Sequence, residues 1–338
     1  MDWFEKLAGF QERDYHSTRQ KLEVDGNQLR SLVNGKSYGI GRLDLMSLDS
    51  LRTRACTGRE VPGRLRVRIV TGDVRQMHQE FQFAGAIFQV ASQFNMLEMV
   101  SQDVTPECGV TRYQNDRTQG PACAIAAGAA TIYRNYFAPV GDHTGQTSEH
   151  QLDGFAELGR ALARTVDRTA TSLWTMQNGY SMFTLDGVNS ISRCLKSLDP
   201  EAIDALRGLL RIGVHWDVDV TDSPAQPLPQ VSQAFCSALP VSYCRAARGA
   251  DWMPLASLVL EAAYEATLLA AVINAQRGAS NTVLLTSLGG GAFGNDESWI
   301  RSAMKHAIGK VAGSDLDIVF VSYGPPSADL QRWVHSLT

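Results

Sequence analysis

The chain has 338 residues, 44% hydrophobic and 20% charged, with 31 Lys+Arg against 35 Asp+Glu for a formal net charge of −4. A chain this apolar and this close to neutral is not disordered, and its length supplies a sizeable core for one large domain or two modest ones. The acidic balance argues against a nucleic-acid partner held on a broad basic face.

Met1-Asp2-Trp3-Phe4-Glu5-Lys6 is charged and amphipathic, unlike the start of a signal peptide. Residues 1–60 read as an extension of helices and loops, with turn signals at Asp25-Gly26-Asn27 and Asn34-Gly35. Residues 65–70 alternate apolar with basic side chains, as a half-buried strand does. Residues 86–91 are almost continuously apolar and predict a strand buried on both faces. Residues 93–118 lack a period, carry Pro106, Gly109 and several acids, and read as a long surface loop. A helix starts at Gly120-Pro121, where proline's missing N–H costs nothing. Its small residues Ala122, Ala124, Ala126, Ala127 and Gly128 imply a very close neighbour.

His143 to Glu149 is polar and turn-rich and reads as a flexible connection. Helices are predicted near 151–167, 188–197 and 200–210, and strands near 212–220 and 231–239. A helix near 254–277, a strand at 282–286, a helix at 299–311 and a strand at 318–321 complete the chain. Strands alternating with helices predict an α/β sheet covered on both faces. The domain runs over 61–338, with an insertion around 140–230. The stretch from Met253 to Ile273 is apolar enough to suggest a membrane span. Glu261 and Glu265, four residues apart on one helical face, instead favour an amphipathic core helix and no membrane partner. Six scattered cysteines without a C-x-x-C pair point to reduced thiols in the cytoplasm. The histidines form no H-E-x-x-H, so zinc is not expected.

Gly289-Gly290-Gly291-Ala292-Phe293-Gly294-Asn295 follows a buried strand and precedes a helix. Glycines there let backbone N–H groups approach a ligand, and the following helix end adds attraction for an anion, naturally a phosphate or diphosphate. The alternative is a tight strand-to-helix turn that uses glycine for geometry alone. Gly289, Gly291 and Gly294 also match G-x-G-x-x-G, but the residues after Gly294 suffice for only one helix and one strand. Asp315 and Asp317 precede the next strand, where the dinucleotide fold needs an acid at its end.

These stretches together resemble the macrodomain superfamily, which binds ADP-ribose. Ile69-Val70-Thr71-Gly72-Asp73-Val74 is similar to that family's early segment, where the aspartate receives the adenine amino group. Residues 86–95 are similar to its second strand, which ends in an asparagine, here Asn95, near the distal ribose. The loop from Gly289 to Asn295, followed by Asp296, resembles the diphosphate cradle of poly(ADP-ribose) glycohydrolases. Val321-Ser322-Tyr323-Gly324 resembles the last strand, where an aromatic lies against adenine. The resemblance implies a three-layer α/β/α mixed sheet with an N-terminal helical extension, and ADP-ribose as ligand. The Gly-Gly-Gly and Gln-Glu-Glu runs of the glycohydrolase branch are missing after Asn95. The segment Tyr113-Gln114-Asn115-Asp116-Arg117-Thr118-Gln119-Gly120-Pro121 resembles instead the MavL-type macrodomains, a bacterial effector-related group that removes ADP-ribose from arginine with aspartates of this loop.

Hydrolysis of a ribosyl–guanidine bond needs an oxocarbenium-like sugar stabilised and a water activated, tasks suited to carboxylates. Glu98, Asp103, Glu107 and Asp116 share one loop beside Asn95. Asp116 is the leading choice, assisted by Glu107 or Glu98, and each acid taken singly has the alternative of a loop charge or helix cap. Arg117 pairs with Asp116 or touches phosphate, and Phe94 and Phe293 either sandwich the distal ribose or belong to the core. Cys108 and Cys123 have no histidine partner in view. Carboxylates with a diphosphate make a hard-oxygen site that suits Mg2+, though no motif demands one. The expected activity is removal of mono-ADP-ribose from a modified protein, ubiquitin-like or otherwise arginine-modified. The alternatives are a module that binds ADP-ribose without cleaving it, or an enzyme acting on a free NAD-derived nucleotide.

Overall fold

Seven strands pair into one sheet in the structure, a computed structural model that describes residues 1–59, 61–244 and 247–337. They are β1 (Arg42–Ser47), β2 (Arg66–Thr71), β3 (Ile87–Ala91), β4 (Arg211–Asp219), β5 (Gln230–Cys236), β6 (Thr282–Leu285) and β7 (Asp317–Ser322). Their order is β1-β4-β5-β3-β6-β7-β2. β5, β3, β6, β7 and β2 run parallel, whereas β4 is antiparallel to both its neighbours. The carboxyl ends of five parallel strands therefore share one rim, the usual place for a ligand in an open α/β sheet.

Burial follows position in this order. β3 and β6 lie inside the sheet and are buried along nearly their whole length, while the edge strand β2 exposes Arg66 and Arg68. Side chains alternate across the sheet. Phe88, Val90, Leu284 and Val319 point into one core, and Ile87, Val283, Leu285, Ile318 and Phe320 into the other. Helices α1 (Leu48–Thr57), α2 (Gln119–Ala126), α3 (Gly128–Tyr136), α4 (Gly249–Gln276), α5 (Glu297–Lys310) and α6 (Ala328–His335) flank it. α2 and α3 cover the first core and the other four cover the second, together with helices at Ala156–Thr165, Leu185–Leu195 and Pro200–Gly208. The expected three-layer α/β/α arrangement is thus present.

The N-terminal segment departs from the expected helices and loops. Leu22–Asp25, Gln28–Ser31 and Ser37–Gly39 form a small antiparallel sheet, and residues 42–47 supply the edge strand β1 of the main sheet. Trp3, Phe4, Leu7 and Leu29 pack on the outer side of α2 and α3. Here lies the close neighbour implied by the small residues, since a Cβ on Gly128 would stand 2.7 Å from the Trp3 ring.

Three further expectations are corrected. Ser92 to Met99 is buried, not a surface loop, because its backbone is held by side chains that leave no periodicity: the Gln93 amide bonds both the N–H and the carbonyl of Met99. The segment 143–149 is tied down by buried Gln146, which donates to the carbonyls of Asn95 and Arg134 and accepts from the N–H of Leu152. α4 is buried around most of its circumference, with Glu265 held by Arg52 at 2.7 Å and His306 at 3.2 Å, and Glu261 by Arg207 at 2.6 Å.

α2 meets the end of β3 at unusually short range. The Gln119 side chain accepts from the N–H of Ala91 and donates to the carbonyl of Gln89, acting as one more strand partner. A Cβ on Gly120 would lie 2.0 Å from the Ala91 carbonyl oxygen. Gly120→Ala is expected to lower stability by roughly 1–3 kcal/mol through overpacking, despite alanine's better helix propensity. Gly309→Ala, on α5 with open space around the added methyl, is neutral or stabilising. Urea unfolding of both variants checks this, and equal stabilities contradict it.

Candidate functional site

A cleft opens on the rim where β3, β5 and β6 end. Its walls are Ala91, Ser92 and Gln93 after β3, Ala238 after β5, Thr286 to Gly289 after β6, and Gly291, Ala292 and Phe293. Thr118 to Pro121 at the start of α2 face this loop across the cleft, joined by Met99, Val100, Asp116, Tyr180 and Tyr243, with Glu98 at the floor.

The glycine loop is pinned by its carbonyls. Ser242 donates its N–H to the Phe293 carbonyl at 3.0 Å and its hydroxyl to the Ala292 carbonyl at 2.5 Å. Asn295 is buried and donates from its side chain to the Leu239 carbonyl at 2.9 Å and from its N–H to Gly289, so it braces the loop from behind. Gly289 and Gly294 have φ of +73° and +71°, and a Cβ on Gly289 would stand 2.4 Å from that of Ala238. The N–H of Gly290 closes a turn onto Ser287. Among the described residues the N–H groups of Gly291, Ala292 and Phe293 take no protein acceptor. Nothing crowds a Cβ at Gly291, so the fold itself does not require glycine there. Three free amides in sequence make a cradle for an anion.

The helix after the loop does not help in the expected way. Asp296 caps α5, accepting from the Ser298 hydroxyl and N–H, and these bonds hold its carboxyl below the usual range. The positive end of α5 thus already carries the protein's own anion. α2 begins on the opposite wall without a side-chain cap from Thr118, and the carboxylate nearest its positive end is that of Asp116.

Of the four proposed acids the cleft brings together two. Asp116 is half-buried on its wall, with Oδ1 accepting the Thr118 N–H at 2.8 Å. Glu98 is fully buried beneath the floor, 3.3 Å from an equally buried Arg134. Arg134 also donates to the Met96 carbonyl and the Thr131 hydroxyl and lies 3.8 Å over the Phe235 ring. Burial pushes the Glu98 carboxyl up to about 7, against the opposing pull of Arg134. Asp103 is exposed and accepts from Gln177, outside the cleft. Glu107 clamps the Ser148 N–H and hydroxyl; partial burial raises its carboxyl, but these bonds outweigh burial and leave it lowered.

The remaining expected contacts divide similarly. Phe293, Gly289, Gly291 and Ala292 line the cleft, whereas Gly290, Gly294 and Asn295 shape the loop from outside its walls. Asn95 is wholly buried, its amide spent on the Leu97 N–H and on Gln151. Phe94 belongs to the core, 5.1 Å from the Phe155 ring, and Val74 is likewise a core residue. Asp73 caps the short helix Val74–Met77 by accepting from Arg75, and Tyr323 is 83% exposed. Both follow strands on the same rim, with β2 two strand spacings, roughly 10 Å, from β6. Arg117 is exposed and off the walls, Cys108 is exposed, and buried Cys123 accepts from Gln119. No group of three or more His, Cys, Asp or Glu placed to hold a metal exists among the described residues.

Gln119, Tyr180 and Tyr243 are among the wall residues not proposed as site residues from the sequence. Gln119 acts through backbone contacts that no motif encodes. Tyr180 sits on a hairpin, Trp174–Gln177 with Tyr180–Phe183, whose turn Asn178-Gly179 has φ of 46° and 79° and was a readable signal. Tyr243 carried none.

No family profile and no curated protein matches this chain. Among solved structures it is similar to poly(ADP-ribose) glycohydrolase from Deinococcus radiodurans in complex with ADP-ribose, at 13% identity and TM-score 0.47, covering 88% of this chain and 95% of that one. It is also similar to poly(ADP-ribose) glycohydrolase from Thermomonospora curvata bound to the inhibitor ADP-HPD, at 12% identity and TM-score 0.45, covering 95% and 98%.

Removing one member of a buried ion pair strands the other, at roughly 3–5 kcal/mol. Arg134→Met is expected to cost that much, and Glu98→Leu added to it recovers most of the loss; denaturant unfolding of the single and double variants checks this. A carboxyl at about 7 in the fold, against 4.5 when exposed, binds its proton more tightly folded than unfolded. Its stabilising contribution is complete below about 4.5 and lost as pH rises through about 7. The stability of wild type relative to Glu98→Gln therefore falls between pH 5 and 8, and a pH-independent difference contradicts this assignment.

Proposed function

We propose that this protein is an ADP-ribosylhydrolase that releases mono-ADP-ribose from a modified protein, with arginine as the linked side chain. The observation that carries this reading is the charge pattern of the cleft. Among the described wall residues the only ionisable acids or bases of the charged classes are Glu98 and Asp116, and Glu98 is matched by Arg134 beneath the floor. A diphosphate is thus offered the free amides of the loop, while Asp116, at the start of α2 on the facing wall, has no basic partner among the described residues. A binding module for an anion alone gains nothing from that carboxylate. A hydrolase whose substrate carries a guanidinium, and whose sugar becomes oxocarbenium-like, gains twice.

In the proposed reaction Asp116 takes a proton from water as the water oxygen bonds to C1 of the distal ribose. The C1–N bond breaks with its electron pair passing to the guanidine. The substituted guanidinium is already a cation, so it departs as a neutral guanidine and no acid needs to protonate it first. The guanidine then takes up the proton held by Asp116, giving arginine and ADP-ribose. The carboxylate also stabilises the oxocarbenium-like sugar between bond breaking and bond making. Glu98, locked to Arg134, supports the floor in this scheme. Asp73 and Tyr323, farther along the rim, are proposed for the adenine end. Carboxylates near a diphosphate would also suit Mg2+, which this reaction does not require. Six cysteines, all unpaired, fit a reducing cytoplasm.

The test is an arginine-ADP-ribosylated peptide with released ADP-ribose read by mass spectrometry, beside serine-linked, glutamate-linked and polymer substrates. Wild type is expected to turn over the arginine linkage. Asp116→Asn is expected to lose on the order of 100- to 10,000-fold in rate while binding ADP-ribose within a few-fold of wild type by calorimetry. Tight ADP-ribose binding without turnover of any linkage makes the protein a binding module and overturns the proposal.

A further inference from the structure

We propose that Tyr243 determines specificity: its ring and the Asp116 carboxylate form a subsite in the cleft that accepts the guanidinium of the linked side chain before the bond breaks. This inference rests on the hydrolase reading and names the residue that reads the linked side chain. Tyr180, Tyr243 and Phe293 form a cluster on one wall. Tyr180 lies 5.8 Å from Tyr243 and 5.4 Å from Phe293, and Tyr243 meets Phe293 edge-on at 6.0 Å.

The rings have different tasks. Tyr180 is buried, its phenol donating to the Met99 carbonyl at 2.8 Å and accepting from Gln93, so it is a fixed part of the wall. Asp116, Tyr180 and Tyr243 line the same cleft, and the Asp116 charge adds to the burial that raises the Tyr180 phenol. Tyr243 is half-exposed, and its hydroxyl makes no hydrogen bond among the described residues. Its neighbour Ser242 is bonded to the carbonyls of Ala292 and Phe293, so Tyr243 is positioned by the same contacts that hold the amide cradle.

Elsewhere among the described residues six Arg or Lys side chains lie over five rings, those of Phe10, Phe137, Trp216, Phe235 and Trp333. None of the three cleft rings does among the described residues. A ring face attracts a cation through its quadrupole, and a carboxylate attracts it through charge. A guanidinium between them gains from both, and a neutral serine ether or an ester gains from neither. The diphosphate contacts proposed above lie on the loop amides, so loss of the Tyr243 ring falls chiefly on the linked side chain.

The experiment compares wild type, Tyr243→Phe and Tyr243→Leu on arginine-linked and serine-linked ADP-ribosyl peptides, with ADP-ribose affinity measured by calorimetry. Tyr243→Leu is expected to lower kcat/KM for the arginine linkage by about tenfold, chiefly through KM, and by a clearly larger factor than it lowers ADP-ribose affinity or any serine-linked turnover. Tyr243→Phe, which keeps the ring face, stays near wild type. The proposal is overturned if Tyr243→Leu matches wild type on the arginine linkage, or if it loses ADP-ribose affinity in the same proportion. A wild type that cleaves arginine linkages while Tyr243→Leu does so equally well removes this subsite alone. A wild type that cleaves no linkage removes the hydrolase reading with it.

Discussion

The close seating of α2 on the end of β3 organises the rim of this protein. With no side chain at position 120, the helix comes within reach of the Ala91 carbonyl, and the Gln119 amide replaces a strand partner for Ala91 and Gln89. Asp116 stands three residues before that contact, so its place is inherited from the docking of the helix. β6 is hydrogen-bonded to β3, and the glycine loop follows it directly. One backbone contact therefore sets a carboxylate at the start of a helix opposite a row of free amides.

The layers around this contact serve to keep it in register. α2 and α3 are thin because they are pressed between the sheet and the N-terminal segment, where Trp3 occupies the space left by Gly128. Below the cleft the Glu98–Arg134 pair ties the irregular segment after β3 to α3, and the guanidinium rests on Phe235 of β5. Such a pair is a poor source of net stability, since removing two charges from water costs about what their attraction returns. Its effect here is on shape: it sets the path of residues 96–98 under the floor while leaving Asp116 as the unmatched charge.

The architecture was largely legible in the sequence, because runs such as 86–91 and 282–286 are mostly apolar and lie where buried parallel strands lie. The glycine loop was legible for a similar reason, since φ values above +70° at Gly289 and Gly294 leave glycine as the natural residue. What could not be read was which acids converge. Glu98, Asp103, Glu107 and Asp116 look alike in a segment without a period, and side-chain bonds of Gln93 and Glu107 to backbone, and of Gln177 to Asp103 itself, decide where each goes. The same physics concealed the burial of Asn95 and Phe94. The helix after the glycine loop misled in another way, because Asp296 caps it and takes the positive end expected for a ligand.

The central claim is that the amides of residues 291–293 hold an anion opposite Asp116. A crystal structure of the complex with ADP-ribose tests it most directly. The account predicts diphosphate oxygens within hydrogen-bond distance of those three N–H groups, and the distal ribose turned toward the Asp116 carboxylate. A diphosphate bound elsewhere on the rim, or a distal ribose pointing away from Asp116, would contradict it.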